Sequence, residues 1–236
     1  VGMTATSDDD DYTFFSGSEA VGGAGGKGGD GGAGGIGGDG GDGGVGFLAL
    51  QDGRLDIKAG ALLAGGDGGQ GGAGGTAGAD GIGGYGISGS NLEVNLAGTV
   101  NAGANQATAI HFASGDNRLT LESGYSLGGN VLANGSNDVV ALGGDVDGTF
   151  DTNGVGSTFQ GFEGFEKTGA STWMLTGTRT QDWRVREGTL QGNADNLGGN
   201  ILNDGHVLID DGFANEYEGQ IIGSGSVTWN VNDIQK

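Results

Sequence analysis

The sequence contains no cysteine and no proline among its 236 residues. Without cysteine there is no disulfide framework and no thiolate metal site. Without proline a collagen-type triplet helix is excluded, because Gly-X-Y chains depend on it. A proline-free chain suits sheets of interior strands, where proline would delete a ladder hydrogen bond. Basic residues are scarce as well. Nine Lys and Arg stand against 30 Asp and Glu, for a formal charge of −21. Phosphate neutralisation needs clustered cations, so no nucleic-acid partner is expected. An anionic membrane surface is disfavoured for the same reason. No apolar run approaches the ~20 residues that span a bilayer, so no transmembrane segment is expected. The chain opens without a leader of the secretory type and reads as a mature chain or an excised fragment. Acidic, disulfide-free composition suits a protein that is exported unfolded and works outside the cell.

What is abundant is glycine, 60 of 236 residues, against roughly 7% in ordinary proteins. From Gly22 to Gly46 the chain repeats Gly-Gly-X without a slip, with X = Ala24, Lys27, Asp30, Ala33, Ile36, Asp39, Asp42 and Val45. A second run, Gly65 to Gly86, carries X = Asp67, Gln70, Ala73, Thr76, Ala79, Ile82 and Tyr85. Two of its Gly-Gly pairs become Ala77-Gly78 and Asp80-Gly81, yet the count of three survives. Three is the period of a polyproline-II-like helix, which glycine chains also adopt. That period sets every X side chain in one row and leaves two rows of bare backbone. A lone helix of this kind has no internal hydrogen bonds, and ordering each residue costs about 1–2 kcal/mol. The runs are therefore either disordered or folded back into short helices that pack on one another or on the rest of the chain. In the packed case an inward glycine such as Gly35 tolerates no valine, whereas Ala33→Ser is nearly neutral.

The organisation has three parts. Residues 1–21 combine the acid cluster Asp8–Asp11 with the apolar piece Tyr12–Phe15. Residues 22–86 hold the two glycine runs. Between them, 47–64 alternates as a hairpin does, with Leu48 and Leu50, a turn at Gln51-Asp52-Gly53, then Leu55 and Ile57. Residues 87–236 form a long all-β region of short alternating strands, such as NLEVNLAG (91–98), NRLTLESG (117–124), NDVVALGG (137–144) and STWMLTGT (171–178). Their starts recur at intervals that allow one coil of a β-solenoid each. A β-sandwich, which also uses short strands, is the competing architecture. The alternation points Leu92, Val94, Leu119, Leu121, Val140, Leu142, Trp173, Leu175, Val207 and Ile209 into one core. Asn91, Asn101, Asn117, Asn137, Asn153 and Asn203 fall at turns, where Asn tolerates the left-handed conformation or forms ladders.

The stretches 117–145, 159–178 and 183–229 resemble the passenger region of Gram-negative autotransporters. The pieces FEKTGASTWMLTGT (165–178), EGTLQGN (187–193) and GQIIGSGSV (219–227) are similar to autotransporter-associated β-strand repeats. The resemblance covers roughly residues 88–230. It implies a right-handed parallel β-helix, exported through a C-terminal barrel and displayed at the outer-membrane surface. Residues 213–236 lack amphipathic membrane strands, so on this resemblance the chain is a passenger fragment. The fold class expected is thus all-β, a right-handed parallel β-helix with glycine-rich polyproline-II-like helices packed together as an outgrowth.

Candidate site residues come from the X row. Ile36, Val45, Ile82 and Tyr85 are its large apolar members; they either pack onto the solenoid or form an exposed contact. Asp39 and Asp42 stand beside them. GGIGGDGGD (34–42) approaches the calcium-binding nonapeptide G-G-x-G-x-D-x-U-x, but Gly41 occupies the large apolar position and the period is three, not nine. No metal and no cofactor is therefore expected, and the aspartates read as solubilising. His111 and His206 are isolated, and Ser114-Gly115-Asp116 is too short to read as a hydrolase motif. Glu163 and Glu166 read as a solvated edge. Trp173, Trp183 and Trp229 read as packing rather than sugar-stacking residues. No catalytic residue is expected. The functional expectation is an adhesin or self-association module. Its partner would be a host or bacterial cell-surface protein or glycan, or a second copy. The alternatives are a stalk carrying a functional head, or the scaffold of a displayed enzyme.

Overall fold

The structure is a computed structural model that describes residues 2–5, 10–50, 52–211 and 217–231. The chain forms two compact units, Val1–Asn117 with Tyr125–Ser136, and Arg118–Gly124 with Asn137–Lys236. Among the described residues the strands pair in parallel and stack as sheets. That is the arrangement expected of a β-solenoid, and it replaces the facing antiparallel sheets of a sandwich.

In the first unit three strands make one turn of the stack. The first turn is Met3–Ala5, Asp10–Phe14 and Glu19–Val21. The second is Phe47–Ala49, Gly53–Ile57 and Leu62–Ala64, and the third is Ile87–Gly89, Leu92–Leu96 and Thr99–Asn101. Like positions lie over one another. Met3 pairs with Phe47 and Phe47 with Ile87; Tyr12 pairs with Leu55 and Leu55 with Val94; Ala20 pairs with Leu63 and Leu63 with Val100. Thr108–Phe112, Asn130–Ala133 and Ser126–Gly128 extend two of these ladders. The period of two sends Phe47, Leu55, Ile57, Leu63, Val94, Leu96, Val100 and Ile110 inward, each with no exposed surface.

The segment 47–64 is therefore not a hairpin. Its three strands bond to turns above and below, never to one another. The inward register also shifts by one: Phe47 and Ala49 are buried, while Leu50 is 60% exposed. Alternation alone does not distinguish a strand that pairs with its neighbour in sequence from one that pairs a full turn away. The stacked strands also begin at Met3 rather than near residue 88.

The glycine runs interrupt this stack at one recurrent corner. Each leaves after a third strand (Val21, Ala64) and returns at a first strand (Phe47, Ile87). The register step from Met3 to Phe47 is 44 residues and from Phe47 to Ile87 is 40, against 23 from Ile87 to Ile110. The excess is the runs themselves.

The second unit carries two ladders. One runs through Arg118–Leu121, Val139–Leu142, Gly164–Lys167, Trp183–Val185, Ile201–Asn203 and Ile221–Ile222. The other runs through Gly148–Asp151, Thr172–Thr176, Thr189–Gly192, His206–Asp211 and Ser226–Val231. All ten residues expected in the core are buried across the two units. Trp173 and Trp183 are buried, and Trp229 is 45% exposed. Of the N-terminal acid cluster, Asp8 and Asp9 lie outside the described residues, as do Gln51, 213–216 and 232–236.

Candidate binding surface

The two glycine runs fold into four hydrogen-bonded segments, 22–32, 35–46, 65–75 and 76–86. The first reversal is a turn at Gly32–Gly35, closed by the Gly35 N–H donating to the Gly32 carbonyl at 2.8 Å. Its third residue, Gly34, has φ 83°, the conformation a type II turn demands there and one that glycine adopts freely. No other glycine in either run has a positive φ.

The segments bond to one another every third residue. Gly25, Gly28 and Gly31 donate to Asp67, Gln70 and Ala73. Gly38, Gly41 and Gly44 donate back to Gly29, Gly26 and Gly23. Gly37, Gly40, Gly43 and Gly46 donate to Thr76, Ala79, Ile82 and Tyr85. Gly78, Gly81 and Gly84 donate to Gly72, Gly69 and Gly66. One segment thus meets neighbours on several sides. A strand in a flat sheet meets only two.

This contact explains which glycines are needed. A Cβ at Gly25 would overlap the Gly41 carbonyl, and one at Gly40 the Gly69 carbonyl. At Gly23, Gly26, Gly29 and Gly32 a Cβ would meet nothing. Ala77 and Asp80, where the Gly-Gly rule lapses, are exposed. Gly35 is not the inward position expected. It closes the turn, and its Cβ would stand 3.2 Å from the backbone of Gly32, which is tight but not prohibitive.

The X-row aspartates do more than solubilise. The Asp30 carboxylate accepts the Ala73 N–H at 2.9 Å, Asp39 accepts that of Ala79 at 2.8 Å and Asp42 that of Ile82 at 2.9 Å. In each case the next glycine returns a bond to the same residue's carbonyl: Gly31 to Ala73, Gly40 to Ala79 and Gly43 to Ile82. Asp67 clasps Ala104 and Asp80 clasps Gly71 in the same way, each at 2.8 Å. Asp39 and Asp42, proposed as binding residues, are thus committed through Oδ1 to the second run. No cluster of three or more metal-ligating side chains occurs among the described residues.

The apolar X residues divide. Ile36 sits at the far reversal, bridged to Thr76, and is 78% exposed. Ile82 is 54% exposed. Tyr85 stacks on His111 with ring centroids 4.7 Å apart and an interplanar angle of 25°. Burial there lowers the His111 pKa. Asp42, Val45, Ile82, Tyr85 and Gln106 line a shallow groove of about 290 Å³, so four of the six sequence candidates converge. Ile36 and Asp39 do not line it. His111, half-buried with Nδ1 facing Ser88 Oγ at 3.4 Å and Nε2 facing Asn134 at 3.1 Å, was not foreseen beside the groove. Only the ladder pairing of Ile87 with Ile110 brings it there.

A second hollow of about 380 Å³ is lined by Asp11, Asp52, Arg54, Asn91 and Glu93. Asn91 occupies a left-handed turn with φ 52°, donates to Asp52 and accepts from the Asp116 N–H. Among the other described asparagines only Asn105, not one of those expected, has a positive φ. Asn117 and Asn203 instead bond backbone groups one turn away, Leu92 and Ser226.

In the second unit the KTG piece has a structural explanation. Lys167 has no exposed surface, and its ammonium donates to the carbonyls of Thr168, Gly169 and Glu187 at 2.6, 2.8 and 3.3 Å. Burial pulls its pKa down to about 8. Glu166 is not a solvated edge. It is 8% exposed and forms ion pairs with Arg118 and Arg186, each at 2.7 Å. Burial opposes its ionisation, but hydrogen bonds from Arg186 and Arg118 prevail and lower its pKa. Glu163 accepts the Asp138 N–H. Trp173 donates its indole N–H to the Gly143 carbonyl at 2.9 Å, which fixes a buried aromatic at the repeat's core position.

No family model matches the chain, and comparison with curated proteins and with solved structures gives no match. No helix among the described residues is long and apolar enough to cross a membrane.

Proposed function

We propose that the chain is an adhesin or self-association module, a passenger segment of a Gram-negative autotransporter displayed on the cell surface. On this reading the parallel stack is a right-handed β-helix, and the four glycine segments are polyproline-II helices projecting from one corner. The spacing of three in their mutual hydrogen bonds supports the helices, as does the restriction of positive φ to one turn.

The observation that carries the functional reading is the placement of the apolar X side chains. A side chain needed only for folding would be covered, yet Ile36 and Ile82 are mostly open to solvent. Ile82 adjoins Val45 and Tyr85 in a groove with a glycine floor. Apolar anchors with polar neighbours are what a partner protein, a glycan or a second copy requires.

The test uses the chain as it stands, coupled to particles, with binding to bacterial and host cells and particle clumping measured. The Ile82→Ser/Tyr85→Ser double variant is expected to lose at least tenfold in whichever adhesion the parent shows, with the melting temperature of the strand stack unchanged. A parent that neither binds cells nor self-associates would remove the adhesin reading and leave the stalk.

A further inference from the structure

The outer face of one ladder in the second unit carries a short strip that the fold itself does not use. Glu166, Arg184, Leu202 and Ile222 are partners on successive strands. Their neighbours Trp183, Val185 and Ile201 are buried, so the period of two turns these four outward. Glu166 is already taken by Arg118 and Arg186, each at 2.7 Å. Arg184 is exposed, and its guanidinium has no ion pair among the described residues. Beyond it Leu202 and Ile222 are 37% and 62% exposed. A strand spacing of about 4.8 Å makes Arg184, Leu202 and Ile222 a ledge roughly 10 Å long, cationic at one end and apolar at the other.

Free positive charge is rare on this chain. Lys27, Lys58, Arg118 and Arg186 are in ion pairs, and Lys167 is buried. Arg54 stands in register between Asp11 and Glu93. The groove on the first unit has the opposite character. It is concave, with Val45, Ile82 and Tyr85 as apolar rails and the Asp42 carboxylate beside them. Asp42 commits Oδ1 to the Ile82 N–H at 2.9 Å. A carboxylate accepts through both oxygens, so Oδ2 remains for a cation. Asp42 and Val45, like Ile82 and Tyr85, stand one triplet apart, roughly 9 Å on a polyproline-II pitch. Ledge and groove agree in length, oppose in charge and share apolar surface.

We propose that the occupant of the groove is a second copy of this chain, which inserts the ledge of its second unit. Arg184 meets Asp42, and Leu202 and Ile222 meet Val45, Ile82 and Tyr85. This rests on the reading of the groove as a contact surface and names its partner. Such a contact is heterologous: a pair keeps one ledge and one groove free, so association continues head to tail rather than closing at a two-fold pair. So few side chains bury far less than the ~1,200 Å² of a stable complex, and a single contact is weak; it gains strength where many copies are arrayed on one surface. The formal charge of −21 adds long-range repulsion between copies. Physiological salt screens that repulsion beyond about 8 Å and leaves groups in contact attracted.

Sedimentation velocity over a rising concentration series, at physiological salt, tests this with the parent and two variants. The parent is expected to grow past the dimer. Arg184→Gln/Ile222→Ser removes the ledge and keeps the groove; Ile82→Ser/Tyr85→Ser removes the groove and keeps the ledge. Each variant alone is expected to associate at least tenfold more weakly than the parent, with an unchanged melting temperature. Mixed in equal amounts, the two are expected to regain association and to stop at the pair, because one ledge and one groove remain between them. Should the groove variant fail to fold, Ile82→Ser alone replaces it. A parent that stays monomeric throughout would overturn the proposal. So would a ledge variant that associates like the parent, or a mixture that stays monomeric or grows past the pair. A monomeric parent whose cell binding is lost in the groove variant would still leave the groove an adhesive contact, so the two readings fail separately.

Discussion

Within one unit, the strand stack and the glycine bundle satisfy their backbones in opposite ways. In the stack, hydrogen bonds fix the ladders and side chains fill the interior, so identity matters at inward positions. In the bundle, hydrogen bonds run to several neighbours and the interior is backbone, so the absence of side chains matters. The stack draws on the hydrophobic effect, at roughly 25 cal/mol for each Å² buried. The bundle draws on close approach, where each N–H···O bond adds a net ~1 kcal/mol and Cα–H···O contacts add about 0.5–1 kcal/mol. A chain can therefore change architecture between neighbouring strands with no change of hydrophobic period, only a change in which positions must be empty.

Truncation of the stack should have the largest effect. Phe47→Ala empties a fully buried site between Tyr12 and Phe14, whose rings lie 5.3 and 5.7 Å away. It should cost about 3–5 kcal/mol, read by denaturant unfolding. Filling the bundle comes next. Gly25→Val forces a side chain into the Gly41 carbonyl. A cost of about 3 kcal/mol is expected, seen as lost exchange protection at Gly41 and Gly69, with a smaller change at Val94. If the two variants lowered protection equally everywhere, the two regions would be one cooperative body and the contrast would fail.

The third test concerns the second unit, where a charge rather than an apolar group occupies the interior. Lys167 has its pKa lowered to about 8 by burial, so the folded state binds its proton less tightly than the unfolded chain. Stability should then rise as pH increases from about 8 toward the ordinary lysine value near 10.4. Lys167→Met should abolish that rise and leave three carbonyls without their donor. Thermal melts at pH 7, 8, 9 and 10 measure both. The smallest effect is Gly23→Ala, where a methyl meets nothing; a change within about 0.5 kcal/mol is expected. A large loss there would show that the open glycine row is covered in solution.

The parts legible in the sequence were those written in a local period. Alternation located the inward residues from Leu92 to Ile209, and the count of three located the glycine segments. Where the partner lies a full turn away, local reading failed. Segment 47–64 looks like a hairpin because alternation is identical in parallel and antiparallel strands. The aspartate clasps join residues 37 to 43 positions apart in four cases, and no spacing within a triplet reports that. Glu166 appeared to be a surface charge, because burial of a charge is decided by partners such as Arg118 and Arg186 that lie 48 and 20 residues away. The groove was half legible: its apolar rails stood out as large X residues, but Gln106 and His111 reach it only through the stacking of successive turns.

The recurrent corner at which both runs are inserted has a mechanical consequence. Each run starts and ends on strands held by neighbouring turns, Val21 and Phe47 in one case and Ala64 and Ile87 in the other. Residues 22–46 contain roughly 85 Å of contour at full extension, folded away beside the stack. While the ladders stay zipped the separation of Val21 and Phe47 is fixed, so tension along the stack is borne by the strand pairs and this contour pays out only where a turn itself unzips.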